Sequence, residues 1–319
     1  MTGNMTRGGE KPIHRLLRVA GYILVALAFY YVIRMLWLQR ASIVDWQPTP
    51  FDIGIVTISI LAYGLMGFLL TIAWCRLNHV CGQGPMQSRH CAAIYGTTQI
   101  AKYIPGNVFH FIGRHAAGVR AGLSHATLAC SATLEMTGLL FSAGVLSLPG
   151  ILLFSVERLA FLPRSMLIYV LVIVAIFVGV LSALPWILDK LSLQRAREAG
   201  RISVSALLPA VLLQLLFFAS CGLLTGMVTY AVIPGAEATA SSILLAASAY
   251  PVGWLAGYVV PGASAGIGVR EATIMLIMSS AVSAGDATLI AVLMRLVTMA
   301  GDMLFYLFTR SHALNPTAD

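Results

Sequence analysis

Charge is what this 319-residue chain has least of: Asp, Glu, Lys and Arg together make up 10% of it, where soluble domains carry about 25%. Hydrophobic residues make up 59%. That imbalance excludes an ordinary soluble domain and implies an integral membrane protein. Cysteine is scarce too, and the five cysteines contain no C-x-x-C pair, which argues against a zinc or disulfide framework. Cys75, Cys81 and Cys91 flank a loop assigned below to the cytoplasm, where thiols stay reduced. No Ser/His/Asp grouping or acid pair marks a hydrolase. Gly262, Gly266 and Gly268 contain a G-x-x-x-G that suits close helix packing, without the strand–helix unit of a nucleotide site. His110 and His115 lack companions at metal-ligand spacing. The chain is therefore expected to be no enzyme, with no cofactor and no metal.

Long apolar runs are what the chain does have. Stretches of roughly 20 residues or more, enough to cross a bilayer, lie near 16–38, 53–77, 125–148, 165–187, 204–232 and 286–309. Lys11, Arg15 and Arg18 before the first run resemble a signal-peptide start, but the run is too long for one and is expected to stay as a helix. Two more apolar segments, near 91–120 and 242–284, are broken by Pro105-Gly106-Asn107 and by Pro261-Gly262. Pro and Gly free backbone groups, which membrane depth tolerates only beside protein or water. The pattern predicts an all-α polytopic protein with two re-entrant hairpins. The count is six to eight spans, because the arms of the second hairpin are equally easily drawn as full spans. Residues 1–319 form one transmembrane domain, with no soluble domain expected.

Orientation follows from Lys and Arg in the loops. With the N-terminus inside, the N-terminal segment, 76–90, 186–203 and the C-terminal tail hold eleven of them, against Arg40, Arg158 and Arg164 outside. Both termini are thus expected in the cytoplasm, and the net charge of +8 reads as topology and affinity for anionic headgroups rather than for nucleic acid.

The same topology exposes a repeat, with units of about 16–148 and 165–309. Pro105 and Arg114 match Pro261 and Arg270 at one common offset, and Ala126-Thr127-Leu128 matches Ala287-Thr288-Leu289 further on. One unit starts inside and the other outside, so the units are inverted. Paired Pro/Gly-interrupted segments at equivalent points of two halves point to a transporter-like binding site.

Six Lys/Arg residues fall outside the loops. Arg34 and Arg120 suit the membrane interfaces. Lys102, Arg114, Arg270 and Arg295 lie in or beside the hairpins and the spans after them, where a charge needs a cavity or a partner. Glu135, Glu271, Asp286 and Asp302 are the acidic candidates. Glu135, Glu271, Arg295 and Asp302 are read as an intramembrane charge network, which serves either to lock the two halves as buried ion pairs or to line a path. Arg114 and Arg270 each follow a break where free N–H groups also favour an anion, and the guanidinium fork matches phosphate. With Lys102 and Asn107 they are the candidate headgroup-binding residues; Asn107 equally suits capping the following helix. The hairpin tips are Pro105, Gly106, Pro261, Gly262, Gly266 and Gly268. Tyr103, Tyr258, Trp254 and Trp46 read as interface aromatics.

The strings Ala101-Lys-Tyr-Ile-Pro-Gly-Asn-Val-Phe-His-Phe-Ile-Gly-Arg114 and Pro261-Gly-Ala-Ser-Ala-Gly-Ile-Gly-Val-Arg-Glu271 resemble the family named for the transmembrane region of lysylphosphatidylglycerol synthase. The resemblance covers most of the chain. Where that family often reads Pro-Gly-Gly-Leu-Gly, this chain has a longer Pro-Gly-Ala-Ser-Ala-Gly-Ile-Gly. The resemblance implies a flippase-like module of the bacterial inner membrane, as a stand-alone member without the soluble aminoacyltransferase domain. It implies membrane lipids as partners: an anionic phospholipid, a glycolipid or a polyprenyl-linked sugar. The alternatives are a non-transporting scaffold for a glycosyltransferase or another envelope-assembly protein, with homo-oligomers admitted, and a membrane-embedded transferase using Glu135 or Glu271 as base.

Overall fold

The computed structural model describes residues 46–82, 87–104, 108–158, 204–233, 239–260 and 266–313, with a few positions between 30 and 40. The apolar run 165–187, most of the run 16–38, the tips Pro105, Gly106, Pro261 and Gly262, and the headgroup candidate Asn107 lie outside the described residues. Everything regular among the described residues is helical: α1 (Pro50–Val80), α2 (Ser88–Gln99), a 3-10 turn (Ile100–Tyr103), α3 (Phe109–Arg120), α4 (His125–Arg158), α5 (Val204–Val232), α6 (Ala240–Val259), α7 (Val269–Met278) and α8 (Ala284–Ala313).

Five of these, α1, α4, α5, α6 and α8, are long and apolar enough to cross a membrane. Their outward faces stay apolar: Leu208, Leu212 and Leu216, four apart along α5, are each more than half exposed. An i, i+4 stripe of exposed leucine is tolerated where the solvent is hydrocarbon, so the chain is a multi-pass membrane protein. The arms of the two broken segments differ in length. α6 has 20 residues and can cross a bilayer, whereas α2 has 12.

Local signals set the helix ends. α1 begins at a capping box in which Thr49 accepts from the Asp52 N–H and Asp52 accepts from Thr49, with Pro50 at the first helical position. Thr239 caps α6 by accepting from the Ser242 N–H. Asp286 belongs to the same kind of device: Ser283 donates to its Oδ2 (2.6 Å) and accepts from its N–H. Asp286 is thereby a capping residue of α8 rather than a partner of the intramembrane charges.

The helices cross between the halves of the chain. α1 packs on α5 and α8, α6 packs on α4, α5 and α7, and α2 packs on α8. Trp74, Tyr95, Phe217, Phe218, Tyr250, Met294 and Phe305 fill the core between them. Glycine permits the closest approaches: a Cβ on Gly257 of α6 would lie 2.7 Å from the Gly266 Cα.

One expectation is overturned. Cys75 is joined to Cys91, and Cys81 to Cys130, by disulfides, and only Cys221 is a free cysteine among the described residues. The bonded cysteines are 16 and 49 positions apart. They meet because α2 and α4 both pack against the last turns of α1, a long-range contact that C-x-x-C counting does not detect. Disulfides persist in oxidising compartments, so these bonds and the Lys/Arg bias assign this end of α1 to opposite sides of the membrane.

Candidate functional site

The rare charges converge. Arg114, buried in α3, donates through Nη1 to both carboxylate oxygens of Glu135 on α4 (2.8 and 2.7 Å) and through Nη2 to Gln99 Oε1 (3.0 Å). Tyr95 donates to the same carboxylate (2.7 Å), and its ring lies 3.6 Å beneath the guanidinium. Gln214 on α5 donates to the Glu135 carbonyl (3.1 Å). Two sequence-read candidates thus form one buried pair, and Arg114 is held rather than free.

Lys102 meets Asp302 of α8 at 2.7 Å, and Tyr103 donates to the same Asp302 oxygen at 2.6 Å. Tyr103 is therefore part of the polar network rather than a plain interface aromatic. Arg295 meets Glu271 at 3.2 Å, and the other Glu271 oxygen accepts from the Gly268 N–H at 2.6 Å, which caps the start of α7. Among the described residues, Lys102–Asp302 joins the first broken segment to the last helix, whereas Arg114–Glu135 and Arg295–Glu271 each lie within one half of the chain.

Arg270 stands apart. Its Nη1 donates to the Tyr250 hydroxyl (3.3 Å), which lies 3.4 Å from the Tyr63 hydroxyl. Neither phenol carries a formal charge, and among the described residues no carboxylate lies within ion-pair distance of Arg270. It occupies the first turn of α7, directly after Gly268 (φ +82°), where the helix dipole favours anions and disfavours a bare cation.

Arg270, Lys102, Arg114, Glu135, His110 and Gln99 all line one cavity of about 90 Å³, closed by Tyr63, Tyr95, Trp254 and Tyr258. Trp254 and Tyr258 stack at 5.4 Å within its wall, so these two aromatics face inward here rather than marking an interface. Three buried polar atoms on the lining residues have no hydrogen-bond partner among the described residues: Arg270 Nε, Arg114 Nε and His110 Nδ1. Buried polar groups are normally satisfied, so a cluster of orphans around one cavity marks a place for a polar guest.

Two apolar grooves adjoin this centre. One, of about 390 Å³, runs between α3 and α4 along Ile112, Leu128, Ala129 and Ala132, and shares Phe111, Arg114 and Glu135 with the cavity. The other, of about 500 Å³, runs between α7 and α8 along Ile267, Val292, Leu296 and Met299, past the Glu271–Arg295 pair. Arg295 lies over the Tyr103 ring at 5.5 Å, so the Tyr103–Asp302–Lys102 chain links this second groove to the cavity.

Sequence reasoning missed Tyr95, Gln99, Tyr63, Tyr250 and Gln214. Gln214 was detectable as the only strongly polar side chain between 206 and 219 in α5, and Tyr95 and Gln99 sit one turn apart on α2, where four-residue spacing puts them on one face. His115 also has a neighbour that spacing did not reveal, His125, at 2.9 Å. Among the described residues no group of His, Cys, Asp and Glu could hold a metal ion. Compared with protein-family models and with curated proteins, the chain matches none.

Proposed function

We propose that this protein moves an anionic lipid across a bacterial inner membrane, holding the headgroup phosphate at Arg270 while the tails stay in apolar grooves. The carrying observation is Arg270 itself: a cation in the interior of a membrane protein, lining a cavity, bonded to a phenol and with no carboxylate within ion-pair distance among the described residues. Intramembrane charges are functional by default, and a guanidinium offers the bidentate fork a phosphate accepts. Lys102 stands on the same cavity, already bonded to Asp302. Arg114 and Glu135 position Tyr95 and Gln99 rather than taking the ligand alone.

The inverted repeat supports alternating access. Phe111 and Ile112 on the first groove and Ile267 and Gly268 on the second stand at the same offset as Arg114 and Arg270. Two grooves at repeat-related places would serve opposite leaflets in turn. No ATP motif occurs in the sequence, so movement is downhill or ion-coupled.

The test is headgroup-labelled lipid in proteoliposomes, phosphatidylglycerol beside a polyprenyl-phosphate lipid, with wild type and Arg270→Ala. Wild type should move at least one lipid, and the variant should be slower by about tenfold or more, the worth of a charged hydrogen bond. Folded wild type that moves neither lipid above empty liposomes would favour the assembly-partner reading, in which the chain scaffolds a glycosyltransferase without transporting.

A further inference from the structure

Resting on the headgroup reading of the Arg270 cavity, we infer that the site is selective for a singly charged phosphodiester lipid and excludes lipid diphosphates. The inference comes from charge bookkeeping around the cavity. Three cations line it, Lys102, Arg114 and Arg270. Glu135 neutralises Arg114, and Asp302 neutralises Lys102. Arg295, next along through Tyr103, is met by Glu271. Among the described residues lining the cavity, one positive charge is left without an ion-pair partner, on Arg270. The neighbouring segments 105–107 and 261–265 contain no ionisable side chain, so they do not alter the count.

A phosphodiester brings one negative charge and completes the balance. A phosphomonoester carries about −1.5 to −2 at neutral pH, and a diphosphate brings at least as much. The surplus would sit in a low-dielectric interior against Glu135 and Asp302, with no cation to meet it, the arrangement that buried sites tolerate least. A cavity of about 90 Å³ has room for a phosphate group. The orphaned Arg270 Nε and His110 Nδ1 supply further polar positions for the ester oxygens. The lining aromatics Trp254 and Tyr258 offer a stacking wall for whatever alcohol the diester carries.

The experiment uses the full chain in nanodiscs and measures binding of reporter-tagged phosphatidylglycerol, phosphatidic acid and polyprenyl diphosphate, with inorganic phosphate and soluble glycerophosphoglycerol as competitors. Phosphatidylglycerol is expected to bind at least tenfold tighter than the diphosphate, and neither soluble competitor should displace it at matched concentration. Arg270→Gln should abolish the preference. Asp302→Asn removes one carboxylate and releases Lys102, so it should shift selectivity towards the diphosphate by tenfold or more. The double variant Lys102→Gln, Asp302→Asn restores the balance and should regain wild-type selectivity. Wild type that prefers the diphosphate would overturn the charge inference while leaving Arg270 as an anion site. Displacement by soluble phosphate would overturn the lipid requirement. Absence of saturable binding by every lipid, with the protein folded, would instead remove the Arg270 site and the transport reading with it.

Discussion

Arg114 and Arg270 occupy equivalent places in the sequence, each nine residues after a proline in a broken apolar segment, yet they have opposite surroundings. Arg114 is clamped by a carboxylate, an amide and an aromatic face. Arg270 is met by neutral phenols. The difference extends to the frame. The first broken segment is tied by Cys75–Cys91 and flanked by Cys81–Cys130, whereas the described part of the second carries no disulfide. Among the described residues, the first segment thus carries an arginine paired with a carboxylate, and the second an arginine without an ion-pair partner.

Two substitutions separate these roles. Arg114→Ala leaves Glu135 buried without its counter-ion, a situation that costs about 3–5 kcal/mol, whereas Arg270→Ala removes a charge that lacks one and should leave the fold nearly as stable. Thermal unfolding in detergent, followed by tryptophan fluorescence, should therefore show a large drop for the first and a small one for the second. Replacing both members of the locked pair, Arg114→Met with Glu135→Leu, should recover most of the loss. Equal destabilisation by the two arginine variants would break the comparison.

The disulfides sharpen it next. Cys130→Ser opens a link that spans 49 positions, and loss of such a bond costs about 2–4 kcal/mol. The wild-type protein tests orientation: maleimide labelling of intact cells, before and after reduction, reports whether Cys75, Cys81, Cys91 and Cys130 are bonded in place. Labelling without reduction would assign this end to the cytoplasm in agreement with its Lys/Arg excess. Protection that reduction removes would favour the outer side.

The long helices were legible because their cause is local. Runs expected at 53–77, 125–148, 204–232 and 286–309 correspond to α1, α4, α5 and α8, since hydrophobic length alone decides whether a segment can cross a bilayer. The charges were legible by rarity: Arg114 pairs with Glu135, Lys102 with Asp302 and Arg295 with Glu271. What stayed hidden is pairing. Tyr103 and Asp302 are 199 positions apart, and nothing in either local sequence names the other. The same holds for Cys81 with Cys130. Equally hidden was the neutral environment of Arg270, because Tyr250 and Tyr63 lie 20 and 207 positions from it and carry no charge that would single them out.

The helix starts offer the finest test of how the halves diverged. Gly268, with φ +82°, stands immediately before α7 and donates to Glu271, so Arg270 falls in the first turn. At the repeat-related position the chain has Ile112, already inside α3, which begins at Phe109, so Arg114 falls a turn deeper. A Cβ at Gly268 must sit in a region of backbone space that costs about 1–3 kcal/mol. It would also disturb the cap that aims Glu271 at Arg295. Ile112 is 58% exposed on a regular helix, and Ile112→Ala should change stability by no more than about 0.5 kcal/mol. Gly268→Ala should therefore lower the unfolding temperature while Ile112→Ala leaves it near wild type. If the two variants behaved alike, the shifted helix start would not be what separates a bound arginine from an available one.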